Sequence, residues 1–302
     1  MPLPDVLSAI RVLVLDDPPL AEDPQAREAE LARRFPNLTP QERADLAAVP
    51  PERLRVYTNL IFAGMREMVR WAYPLSLGVI VEVIRAEGDD RPEGEIAFDL
   101  MRELHRFRPW RHPSTRELAA HFRDFIETHN PQWLRARPML ASLLDFEQVE
   151  VDVFYAEDAP GEPFRLDEIT SLSVEAFMGL EVMRPLYVVL REYPFDVPAW
   201  ARDRRREEDL AVEEPPPDKG WFACGRDPDS LMPHWVRLEN PAERAAIQSV
   251  GASGRDTVQR MAEAYLASRG VDAEADPQAA FVDFFERFAR WAQAGVVLRP
   301  TA

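Results

Sequence analysis

The sequence predicts an α+β protein, with an all-helical N-terminal domain over 1–157 and a mixed strand-and-helix domain over 164–302. Three observations predict it. Helix start signals crowd the first half. The stretch 158–163 (DAPGEP) concentrates turn formers where helical periodicity breaks. Beyond it the apolar period shifts towards two, then returns to helical spacing near the end. A chain of 302 residues has room for two domains, since one core rarely grows much beyond about 250 residues.

The first half reads as follows. Thr39-Pro40-Gln41-Glu42 is a capping box with proline at the first helical position. The stretch 53–74 is an amphipathic helix with Ile61, Phe62, Met65 and Met68 on its apolar stripe, stopping at Tyr73-Pro74. A helix over 93–107 carries Ile96, Leu100 and Leu104. Pro113 and a capping box, Ser114 with Glu117, open another, whose Leu118, Phe122, Phe125 and Ile126 recur at helical spacing until Asn130-Pro131 ends it. Pro138 limits the last to about 139–156, a helix expected to show an acidic surface.

In the second half Thr170, Leu172, Val174 and Ala176 alternate with their neighbours, the pattern of a half-buried strand. The stretch 186–193 is a second strand candidate, and 220–225 with 234–238 a hairpin. Between them the acidic, proline-rich 203–219 reads as a mobile loop. Three helices close the chain. They open at Asn240-Pro241, near Thr257 and at Asp276-Pro277, and the last carries Phe281, Phe284, Phe285, Phe288 and Trp291 as a core stripe.

Composition excludes several classes. The formal charge of −17 opposes binding to nucleic-acid phosphates, and the one basic cluster, 202–206, runs straight into Glu207, Glu208 and Asp209. Cys224 is the single cysteine, so internal disulfides and thiolate-rich metal sites are out of reach; it reads as a small buried strand residue. His105, His112, His121 and His129 are spaced by seven, nine and eight, too far apart for a helical metal pair, and they and His234 read as surface or capping residues. No phosphate loop or nucleophile elbow is present, and no cofactor or metal is implied. No leader pattern opens the chain and its apolar runs fall short of the ~20 residues that span a bilayer, so a cytoplasmic protein without membrane contact is expected.

Tyr57 and Asn59 in a helix, Tyr73-Pro74 about fifteen residues on, Pro113-Ser114, and Leu143-Leu144 with Phe146-Glu147 together resemble the HvfC-like partner proteins, which include the partner subunit of methanobactin biosynthesis. Strands followed by three helices are similar to the winged-helix-like (βββααα) recognition domain of ribosomally made peptide pathways. The resemblance implies a non-catalytic subunit that binds a precursor's leader and presents it to a multinuclear non-heme iron oxidase with a triose-isomerase-type barrel. Tyr57, Asn59, Tyr73 and Pro74 would then form the partner interface or brace the recognition domain. The family is often labelled DNA-binding, and a winged-helix DNA binder is the alternative; a stand-alone metalloenzyme is a further one. An extended peptide can add to an open sheet edge. The expected edge, or its neighbour, is 169–180, with Leu172, Val174 and Phe177 as pocket walls; an interior strand is the other reading.

Overall fold

The computed structural model describes residues 3–15, 23–109, 114–205, 214–251, 254–269 and 276–301. His112, Pro113, Arg206, the acids at 207–209 and Glu213 lie outside them. The architecture is α+β, with helices in the majority and small antiparallel sheets after residue 160. No helix among the described residues is long and apolar enough to cross a membrane.

The helical part runs α1 (Leu3–Leu15), α2 (Pro24–Arg34), α3 (Pro40–Ala47), α4 (Pro51–Ala72), α5 (Pro74–Ala86), α6 (Glu93–Phe107), α7 (Thr115–His129), α8 (Pro131–Ala136) and α9 (Met139–Phe154). Local chemistry sets most of these ends. Thr39 and Glu42 exchange hydrogen bonds at the start of α3, the Glu42 amide donating to Thr39 Oγ1 and the Thr39 amide to Glu42 Oε2. Ser114 accepts from the Glu117 amide before α7. Pro74 has no amide hydrogen to continue α4, but its fixed φ suits the first position of α5.

After α9 come β1 (Gly161–Glu162), α10 (Leu166–Thr170), α11 (Val174–Met178), β2 (Glu181–Met183), β3 (Val189–Tyr193), α12 (Val197–Arg204), β4 (Gly220–Arg226) and β5 (Pro233–Leu238). The chain finishes with α13 (Pro241–Ser249), β6 (Arg255–Thr257), α14 (Val258–Arg269), α15 (Pro277–Gln293) and β7 (Arg299–Pro300). Strands β3, β4 and β5 form one antiparallel sheet with β4 in the middle, while β1 pairs with β7 and β2 with β6. The expected hairpin is thus present, and so are the three closing helices with Asn240 and Asp276 as N-caps.

Contacts group the chain into two compact units, Met1–Trp71 with Ile84–Phe125, and Ala72–Val83 with Ile126–Ala302. In the first, Ala9, Leu13, Leu31, Leu38 and Ala47 form a core of α1, α2 and α3. The buried Arg27 reaches from α2 to donate to the carbonyls of Ala47 and Val49 at the end of α3. Phe62, Met65 and Val69 carry the buried face of α4, with Phe62 edge-on to Phe98 and His105. His105 is therefore a buried ring packed on an aromatic, not the surface or capping residue its sequence context suggests.

In the second unit the β3–β5 sheet lies between two helical layers. Cys224 of β4 packs on Val149 and Val153 of α9, and Phe146 of α9 stacks on Trp235 of β5 at 5.0 Å. On the opposite face Ala223, Val236 and Leu238 join Met261, Phe284, Phe288 and Trp291 of the closing helices. The period-two alternation explains this split, because residues opposite each other across the ladder share a face.

Two expectations are corrected. The strand expected over 170–177 is instead the end of α10, a turn and most of α11. Ser173 accepts a hydrogen bond from the Ala176 amide and starts α11, so a local cap outweighs the alternation. Burial follows Ile169 and Phe177, while Leu172 and Val174 stay exposed. Secondly, α9 buries most of its length, Glu147 included, and is not an acidic surface helix. The loop expected over 203–219 lies largely outside the described residues; Asp203 and Arg204 belong to α12, and at the far end Asp218 takes two bonds from Arg237 and Lys219 pairs with Glu192.

Candidate functional site

The motifs singled out in the sequence divide into two places. Tyr57 and Asn59 lie on the solvent face of α4 in the first unit, Tyr57 being 57% exposed, beside the exposed Val56 and Leu60. Tyr73 and Pro74 belong to the second unit, where the structure brings them to Phe146-Glu147 although over 70 residues separate them. The Tyr73 hydroxyl donates to Gln148 Oε1 at 2.6 Å. Glu147, fully buried, fills the N-terminus of α5: Oε1 accepts from the Leu75 amide at 2.9 Å, and Oε2 from the Ser76 amide and hydroxyl at 3.0 and 2.6 Å. A helix N-terminus presents unpaired amides and positive potential, which a carboxylate satisfies. Burial pushes the Glu147 carboxyl up to about 7, with Ser76, Leu75 and the Arg205 guanidinium pulling the other way. Arg205 lies 3.9 Å from Glu147, pairs closely with Glu150 and covers the Phe146 ring. This clasp braces the scaffold behind the sheet.

The sheet itself has two outer strands. Among the described residues, no strand pairs with the free side of β3 or of β5. On β5 the strand begins at Pro233, and the Arg237 carbonyl already accepts from Arg290 at 2.8 Å. Strand β3 contains no proline, Val189, Leu190 and Arg191 are half-buried, and the Leu190 carbonyl accepts from the Arg191 guanidinium at 3.2 Å. It is held firmly from behind, since Arg191 and the Tyr193 hydroxyl both donate to Asp145 of α9 at 3.0 Å. A pinned strand with an open side can accept an extended backbone by main-chain hydrogen bonding.

Arg226, at the end of β4, caps the other end of α9. Its guanidinium donates to the carbonyls of Val153 and Ala156 and to Asp158, and sits 4.6 Å from the Tyr187 ring centroid. Orphan C-terminal carbonyls are thereby paired inside the protein. Arg226→Met should lower stability by about 3 kcal/mol in a urea titration, because buried acceptors are left unmet. Arg226→Lys should recover only part of that, since an ammonium cannot reproduce the fork.

The three residues expected to wall a peptide pocket do not share a surface. Phe177 is buried against Phe281, Phe285 and Phe288, whereas Leu172 and Val174 point to solvent from helical or turn backbone. Edge pairing is not available at α11. Sequence reading did identify 186–193 as a strand, but not its place at the edge, which depends on a register set by the distant residues 220–224. Cys224 is buried, and burial raises its thiol pKa well above the ordinary value. Among the described residues, no three His, Cys, Asp or Glu side chains gather as a metal site would require. No family model matches this chain, and no curated protein does.

Proposed function

We propose that this chain is a non-catalytic partner subunit. It binds the leader of a ribosomally synthesised precursor peptide and presents it to a multinuclear non-heme iron oxidase that carries out the modification. The observation that carries this reading is the open side of β3, a short strand pinned to α9 through Asp145 in a sheet that has helices on both faces. The order β3, β4, β5, then α13, α14 and α15 supports a winged-helix-like recognition domain, with α12 and β6 as insertions into that plan. The exposed Val56, Tyr57 and Leu60 on α4 suit a protein interface in the helical part. Bond-making is left to the partner. The net charge of −17 disfavours the DNA-binding reading.

The test is to titrate the full chain with the leader segment of any precursor peptide found encoded next to its gene while following amide hydrogen exchange. Binding should slow exchange at the outward amides of β3 at least fivefold, with α11 unchanged. Protection confined to another element would move the site. Absence of binding at 100 micromolar (a bound of about −5.5 kcal/mol) would sink the assignment, as would turnover by the isolated chain.

A further inference from the structure

The turn joining β4 to β5 has an unusual build. Leu231 is a non-glycine residue at φ 59, in the left-handed region that leucine avoids. Asp227 holds it there: its Oδ1 accepts from the Asp229 amide and from the Ser230 amide and hydroxyl, and its carbonyl accepts from the Leu231 amide at 2.9 Å. The Asp227 amide in turn donates to the Met232 carbonyl. The outcome is a rigid tip displaying two apolar side chains to solvent, Leu231 at 54% and Met232 at 50% exposure.

A third apolar side chain lies at the same end of the sheet. Register pairs Val189 with Cys224, which carries Tyr187 to the level of Arg226, and the short distance between those two side chains agrees. Leu186, the most exposed large apolar residue described at 76%, precedes Tyr187 in the turn that Val188 closes by donating to the Pro185 carbonyl. The acids here are Asp227 and Asp229 on the turn, and Asp158, which pairs with Arg226 at 2.7 Å while most of its side chain stays in solvent. The nearby cation Arg226 is buried and already engaged, and His234 lies 3.8 Å from Asp227.

We propose that this tip is a docking knob for a folded protein surface, one with an apolar socket fringed by lysine or arginine. Resting on the reading above, that surface belongs to the modifying oxidase, not to the leader. The turn's main-chain groups are largely bonded among themselves, so the tip offers side chains and little backbone, unlike the edge of β3. A preformed knob suits a preformed socket, where little ordering entropy is lost on association. The acidic rim supplies the charge complementarity that steers such encounters, and it repels both an anionic membrane and a second copy of this tip.

Leu231→Gly separates function from folding, because glycine adopts the turn's backbone without strain while the side chain is removed. The experiment compares the full chain, Leu231→Gly, Met232→Ser and Val282→Ser, each titrated by calorimetry with a barrel-type iron oxidase found encoded next to its gene. Leu231→Gly should melt at or above the wild-type temperature yet bind at least tenfold more weakly. Met232→Ser should weaken binding severalfold, and Val282→Ser, an exposed apolar change on α15, should leave it unaltered. Equal affinity of wild type and both turn variants overturns the knob while leaving the partner-subunit reading intact. Failure of the wild type to bind overturns both. Loss in Leu231→Gly of binding to phosphatidylglycerol vesicles, or of self-association, with oxidase affinity unchanged, assigns the tip to another occupant and overturns the proposal.

Discussion

Replacing Glu147 by alanine should cost about 4 kcal/mol of folding free energy, read from urea midpoints at pH 6. The change leaves the amides of Leu75 and Ser76 and the Ser76 hydroxyl without acceptors in a dry site. Each such loss costs about 1–3 kcal/mol, and a cavity adds to it. Ser76→Ala should cost only about 1 kcal/mol, because the two amide bonds survive. The same carboxyl sets a pH dependence. Its ordinary value is 4.5 and burial lifts it to about 7 in the folded protein. Between those limits the folded state holds a proton that the unfolded state has released. Stability is therefore fully favoured below about 4.5 and falls as pH rises through 7, by about 1.4 kcal/mol per unit and about 3 kcal/mol in all. Glu243, also raised by burial, slopes in the same sense. The informative quantity is thus the difference between wild type and Glu147→Gln, measured at pH 5, 6, 7 and 8. Parallel curves for the two proteins would show that Glu147 stays ionised throughout, held by Arg205 and the α5 amides.

The residues that declared themselves in the sequence act over three or four positions. Thr39 with Glu42, Ser114 with Glu117, and Asn240 and Asp276 ahead of their prolines specify helix starts through bonds their own neighbours complete. Hairpin β4–β5 was legible for the same reason, since its strands are joined by a short turn. Where sequence reasoning failed, two local signals competed. Val174 sits in a period-two pattern and also one residue after Ser173, and the cap prevailed because only Ile169 and Phe177 had a core to enter. Glu147 was visible as a residue of interest next to Phe146, but nothing within α9 tells that its acceptors serve α5. The open side of β3 was equally hidden, because an edge depends on how strands distant in sequence pair across the sheet.

Gly295→Ala should be the most damaging single-methyl change in the second unit, at about 4 kcal/mol or more, enough to unfold a marginal domain. Gly295 ends α15 in the left-handed region at φ 64. Its amide donates to Ala292 and the next amide, of Val296, to Trp291, which is the Schellman arrangement. A leucine or alanine there meets the ordinary left-handed penalty of about 1 kcal/mol, but that is the smaller part. A β-carbon on Gly295 would collide with the Arg226 carbonyl, which is backbone of β4 and cannot swing aside. Gly225 faces the same junction from the other strand position, its missing side chain leaving room for the Ala294 carbonyl. Two chain segments some 70 residues apart in sequence thus touch backbone to backbone, and that contact sets how α15 meets the sheet beneath Arg226. Gly64→Ala is the contrasting case. Gly64 lies on α4 with nothing within 4 Å of an added β-carbon, so alanine should stabilise by about 0.5–1 kcal/mol through helix propensity alone. Thermal melts of the two variants should move in opposite directions. A small shift for Gly295→Ala would mean that the α15 terminus can slide away from β4, and with it the claim that this junction positions the sheet would fail.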